Sequence, residues 1–311
     1  FTARHDIAGL VEQVLEEGAP STTVNVQRVI YGGQNMFKHS TYYFSQSYIE
    51  QNTLTQEVIK NRIAKMKRLL ENDTPPNPEE WNRHWSSIGK TNMRFAGIHK
   101  HISKAIKNHE ALLRNNPKTK WDYVVLQSWR DVSEEPNQAY ERYATKLAKI
   151  AKTQGAEVIL YMTSPETQNQ NPVTEPYHLA SAERDTAVGL RMAKALLPKA
   201  VIPVPLAIKN IQTGDGDNPG TDLVFRYHND GHPNQTCAFL VANLFYAAMT
   251  GKSPEGLAFN SVTENKLKAG KDPDGGAPTV VFDSETKAYL QQMAYESVLE
   301  FNRNSENEAK R

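Results

Sequence analysis

Trp121-Asp122-Tyr123-Val124-Val125-Leu126-Gln127 is a short, nearly continuous apolar run with the pattern of a strand buried on both faces. Strands of that kind belong to parallel sheets clothed by helices, so this stretch sets the class of the chain. Toward the C-terminus, Tyr140, Tyr143, Leu147 and Ile150 recur at helical spacing up to Gly155, and Glu157–Met162 is a second buried run. Ala182–Leu197 follows as a helix, and Val201–Pro205 as a strand whose prolines make it short or place it near an edge. Toward the N-terminus, Ile7, Leu10, Val11, Val14 and Leu15 form a helical stripe with Gly18 as its expected C′ residue. Thr22–Ile30 reads as a strand closed by Gly32-Gly33.

Strands alternating with helices predict an α/β fold with a parallel, flavodoxin-like, three-layer α/β/α sheet, in one domain over residues 1–311. Residues 40–120 read as a helical insertion between the second and third strands. Ile59, Ile63, Met66 and Leu70 line one face there, and Ile98, Ile102, Ile106 and Leu113 another. Asp73-Thr74-Pro75-Pro76-Asn77-Pro78 is a breaker between them. Beyond Ser261 the chain looks peripheral: a Gly/Pro-rich loop, a short strand near Thr279–Phe282, a helix around Glu285–Phe301 and a polar tail at 302–311. A doubly wound sheet normally begins with a strand, whereas here a helix starts within a few residues of Phe1. Either a segment precedes Phe1 or the fold has an unusual start.

Composition narrows the classes. A formal charge of +1, with acids and bases interspersed, gives no footprint for nucleic acid. The single cysteine, Cys237, sits on a predicted apolar helix face, which rules out a disulfide framework and a cysteine metal site. No apolar run approaches the roughly 20 residues that a membrane-spanning helix requires. His99-Lys100-His101 lies in a predicted helix, where side chains two apart diverge, so a shared metal is not expected. Trp81, His84 and Trp85 read as packing residues in preference to a stacking groove.

The densest cluster of chemistry is Tyr227-His228-Asn229-Asp230-Gly231-His232-Pro233-Asn234, directly before a helical run from Gln235 to Thr250. Cys237, Leu240, Val241, Leu244, Phe245 and Ala248 give that run one apolar stripe, Pro233 suits its first turn, and Gly251 stops it. A histidine on a loop backed by a helix can be aimed by rigid structure behind it. His232 and Asp230 can instead serve as turn and cap residues, a role that carboxylates at helix starts often fill.

Four blocks resemble the SGNH (GDSL-type) hydrolases. They are Phe1-Thr2-Ala3-Arg4-His5-Asp6, the Gly32-Gly33 turn, Asp122-Tyr123-Val124-Val125-Leu126-Gln127, and His232-Pro233-Asn234 through Gly251-Lys252-Ser253-Pro254. The similarity runs in order from Phe1 to Leu257 and is nearest the bacterial branch whose first block reads Gly-Asn-Ser-Phe-Thr. The resemblance implies a serine nucleophile immediately upstream of Phe1. It implies an oxyanion hole from the Gly33 or Gly32 N–H and the Gln127 side chain, with His232 as general base. The family's acid stands three residues before the histidine, where this chain has Asn229; Asp230 stands two before it. Only an acid stabilises the imidazolium, so Asp230 is the favoured partner and Asn229 the alternative. Ser128, Trp129 and Arg130, just after the expected strand, and His39, after the glycine pair, are candidate substrate contacts.

The expected reaction is hydrolysis of an ester, such as an acetyl or other acyl group on a small molecule or carbohydrate, through an acyl-enzyme, with no cofactor and no metal. The resemblance also implies a secreted or periplasmic protein. Two competitors belong to other classes. One is a non-catalytic carbohydrate-binding module that keeps the fold without its nucleophile. The other is an acyltransferase using the same triad on a sugar hydroxyl.

Overall fold

The structure is a computed structural model that describes residues 1–86, 94–128, 139–164, 179–214 and 223–310. It is mixed α/β. Among the described residues six α-helices precede the first strand: α1 (Ile7–Gly18), α2 (Met36–Thr41), α3 (Gln46–Ile49), α4 (Gln56–Asn72), α5 (Pro78–Ser86) and α6 (His99–Asn115). Then come β1 (Tyr123–Ser128), α7 (Ala139–Thr153), β2 (Glu157–Met162), α8 (Leu179–Leu196), β3 (Ala200–Pro203) and α9 (Val204–Thr213). The chain closes with α10 (Gln235–Thr250), β4 (Ser261–Thr263), β5 (Thr279–Val281) and α11 (Ser284–Ala309). The first three strands form a parallel sheet in the order β1-β2-β3, and β4 pairs antiparallel with β5.

Several expectations shift. Thr22–Ile30 forms no strand; its Val24 and Val26 N–H groups are bonded to α1. Glu16 Oε1 accepts the Val24 N–H at 2.8 Å and Glu12 Oε1 accepts the Val26 N–H at 2.6 Å. The match is geometric. Two residues of extended chain advance about 6.6 Å and four residues of helix about 6 Å, so carboxylates one helical turn apart meet alternate N–H groups. The helix-rich stretch 40–120 therefore precedes the first described strand. β1 is not buried on both faces, because Tyr123 and Val125 are 42% and 43% exposed. Helix starts at Val204, so Pro205 belongs to the first turn of α9 and not to a strand. Residues 302–309 continue α11 where a tail was expected.

The chain divides into two compact units, one comprising Phe1–Arg28 and Leu160–Arg311, the other Val29–Ile159. The first unit is built on α10. Cys237 through Ala247 are all buried, not one stripe alone, because α1, α11, β3 and β4 pack around this helix. Gly18 is the last helical residue of α1 and not its C′ residue. A Cβ there would overlap the buried Tyr246 ring of α10, so the glycine serves helix contact. In the second unit α4 packs on α6, and α7 covers β1 and meets α2 and α3. Its core is aromatic: Phe37 stacks on His84 at 4.2 Å and meets Tyr143 edge-on at 5.0 Å, and Trp81 meets Trp85 at 5.4 Å.

Gly18→Ala is expected to cost about 1–3 kcal/mol, since the Tyr246 ring is enclosed and cannot swing aside. The urea midpoint measures it, and an unchanged midpoint refutes the contact. Acid should weaken the second unit. Burial, reinforced by Lys38 and Arg142, lowers His84 to about 4; burial, reinforced by Arg62 and outweighing a hydrogen bond to Ala105, lowers His109 to about 4. The unfolded chain takes up these protons near pH 6.5 and the folded chain only near 4. Stability is therefore full above pH 6.5 and falls by roughly 3 kcal/mol per histidine on the way to 4. Denaturation titrations from pH 7 to 4 should show that slope, and His109→Gln should reduce it.

Candidate active site

The loop before α10 is closed by its own backbone. Arg226 and Pro233 form an antiparallel bridge, the Tyr227 N–H donates to the His232 carbonyl at 2.8 Å, and the Gly231 N–H donates to the Tyr227 carbonyl at 2.9 Å. Gly231 has φ +70°, the left-handed region that glycine enters without strain. Asn234 caps α10, accepting the Cys237 N–H at 3.2 Å, and donates to the Val224 carbonyl at 2.8 Å. Pro233 thus lies one residue before the cap, in the bridge, and outside the first helical turn.

This loop turns Asp230 and His232 toward each other, and Asp230 Oδ1 accepts a hydrogen bond from His232 Nδ1. The second oxygen, Oδ2, pairs with Arg4 Nη1 at 3.1 Å, and Arg4 Nε pairs with Glu264 Oε2 at 2.8 Å. Glu264 is fully buried; it accepts from the Tyr227 hydroxyl at 3.1 Å and from the Lys266 N–H at 2.6 Å. Gln235 Oε1 lies 2.9 Å and His5 Nε2 3.1 Å from that hydroxyl. Asn229 enters through its backbone. Its N–H and that of His228 both donate to the Asp274 carboxylate, at 2.7 and 2.8 Å.

The electrostatics follow from these contacts. Burial tends to raise the Asp230 carboxyl, but the hydrogen bond and charge of His232 and the charge of Arg4 outweigh it and hold it below its usual range. Burial lowers His5 to about 4, opposed by Glu264 and helped by Arg4, so this imidazole is neutral at pH 7. An imidazole whose Nδ1–H is given to a carboxylate presents Nε2 as its proton acceptor. The His232 side chain is 46% exposed. Among the described residues, no three His, Cys, Asp or Glu side chains gather on a metal-sized point.

Gly32, Gly33, His39, Gln127 and Ser128 belong to the other unit. Gly32 and Gly33 form an exposed turn after extended chain, with Gly33 at φ +68° and open space around it. Gln127 and Ser128 end β1, inside the strand and not beyond it; Ser128 is buried and Gln127 half-buried. His39 Nδ1 lies 2.5 Å from Ser45 Oγ, and burial with the charges of Lys38 and His101 lowers it to about 4. Trp129 and Arg130 lie outside the described residues. Trp81, His84 and Trp85 are buried, as packing residues should be. His99 pairs with Asp73 at 2.8 Å while His101 sits edge-on to Tyr31 at 6.3 Å, so the two histidines diverge.

The reading of the sequence missed Arg4, Glu264 and Asp274. The last two come from a region that looked peripheral, the β4–β5 hairpin. Only the turn signature Asp272-Pro273-Asp274-Gly275-Gly276 gave a local sign, and there the Asp272 carboxylate accepts the Asp274 and Gly276 N–H groups at 2.9 and 2.7 Å. Comparison with family models, curated proteins and solved structures finds no match for this chain.

If Asp230 is the acid of a catalytic pair, Asp230→Ala should lower ester turnover by about 10⁴-fold, and Asn229→Ala should have little effect. Initial rates with p-nitrophenyl acetate rank the two. A larger loss at Asn229 would refute the role of Asp230.

Proposed function

We propose that the protein is a serine esterase of the SGNH type, acting on an acetyl or other acyl ester of a carbohydrate and working outside the cytoplasm. The observation that carries the reading is the Asp230–His232 pair, with one carboxylate oxygen on the imidazole and the other on Arg4. The start of the chain supports it. The Phe1 ring packs against His5 at 5.3 Å, and the Phe1 carbonyl accepts the Arg4 N–H at 2.9 Å. Phe1 is thereby tied to Arg4, which pairs with Asp230, and the reading puts the nucleophile on a serine directly before Phe1.

The reaction runs in two halves. His232 Nε2 takes the serine Oγ proton as Oγ bonds to the ester carbonyl carbon, and the Asp230 carboxylate steadies the imidazolium. Hydrogen-bond donors aimed at the developing oxyanion are typically worth about 10²–10³-fold each. The tetrahedral adduct collapses, the alcohol leaves with the proton from His232, and water repeats the sequence on the acyl-enzyme. The three-strand parallel sheet would be the centre of a flavodoxin-like α/β/α sandwich, with its ligand beyond the carboxyl ends of the strands.

Full-length protein treated with a serine-reactive fluorophosphonate should gain one adduct, on a serine in the segment before Phe1, and His232→Ala should abolish both labelling and turnover. No adduct, together with retained fold, would sink the esterase reading and favour a carbohydrate-binding module.

A further inference from the structure

Arg4 is held from three directions. Its Nε meets Glu264, its Nη1 meets Asp230, and its guanidinium lies 5.3 Å from the centroid of the Tyr227 ring. The side chain is only 10% exposed, so both ion pairs lie where water screens them weakly. The backbone is fixed as well: the Arg4 carbonyl accepts the Asn265 N–H at 2.8 Å, which ties the first turn of the chain to the residue after Glu264. Glu264 is fully buried and has its own donors in Tyr227 and Lys266, so it anchors the guanidinium.

We infer that Arg4 is a positioning residue. It orients the Asp230 carboxylate so that Oδ1 takes the His232 Nδ1–H, and Glu264 holds Arg4 in place. The inference rests on the reading of His232 as a general base. Without Arg4, Asp230 Oδ2 loses its directed partner, and the carboxylate is free to rotate away from the ring. Lysine restores the charge but cannot supply two directed donors and a planar face.

The test joins catalysis to a spectroscopic signal that needs no substrate. In the proton NMR spectrum of wild-type protein, the His232 Nδ1–H should appear far downfield, assigned by its loss in Asp230→Asn. Arg4→Gln should shift or broaden that resonance and lower kcat on p-nitrophenyl acetate about 10- to 100-fold, the range for losing a charge-assisted hydrogen bond. KM should change little. Arg4→Lys should not return kcat, and Glu264→Gln should change the resonance in the same direction as Arg4→Gln. An unaltered resonance and kcat in folded Arg4→Gln would overturn the inference. If that variant does not fold, full kcat in Arg4→Lys overturns it. Should wild-type protein show no turnover, the esterase reading fails while the response of the resonance to Arg4 still decides the role of this residue.

Discussion

A buried carboxylate must find donors or stay protonated, and Glu264 solves this by drawing in a guanidinium from near the other end of the sequence. Its pairing with Arg4 joins the first residues of the chain to the β4–β5 hairpin and reaches through Asp230 to His232. An unpaired Glu264 would leave a charge in the interior, and an unpaired Arg4 would leave another beside the loop. The four groups therefore order one another. Tyr227 and Gln235 extend the network to the base of α10.

The loop gains its rigidity from α10 below it. That helix is enclosed nearly all round, so its N-terminus is a fixed point, and Asn234 transfers the fixity by capping the helix and bonding to Val224. Asp274 pins the outer side through the His228 and Asn229 N–H groups. With both sides held, Gly231 at φ +70° makes the turn that places two side chains two residues apart on one side of the loop. Alternate residues of extended chain also share a side, but such chain has no closed backbone to hold them there.

What could be read from the sequence follows from which forces are local. Glu157–Met162 is the strand its apolar run describes, because continuous burial leaves a continuous pattern. The helices of residues 40–120 and the pairing potential of Asp230 with His232 were readable for the same reason, each being set within a few residues. Thr22–Ile30 misled because β-branched residues favour extended backbone whatever pairs with it, and here helix carboxylates took the place of a neighbouring strand. Gly18 misled because a glycine at a helix end has two uses, and the nearness of Tyr246 is a fact of tertiary packing. Arg4 and Glu264 were unreadable, since an ion pair between residues 260 apart has no periodicity.

The two-residue spacing of Asp230 and His232 changes what the neighbouring positions can do. With the acid two residues before the histidine, Asn229 is released from orienting the ring, and its backbone becomes a strut for Asp274. An asparagine facing Nδ1 would hold the tautomer without stabilising the imidazolium, and Arg4 would then face a neutral amide while Glu264 balanced it alone. With Asp230 on the ring the charges alternate along the line Glu264, Arg4, Asp230, His232, each next to its opposite whenever the imidazole is protonated. The aspartate spacing and the arginine thus meet on one carboxylate, which offers one oxygen to the ring and one to the guanidinium.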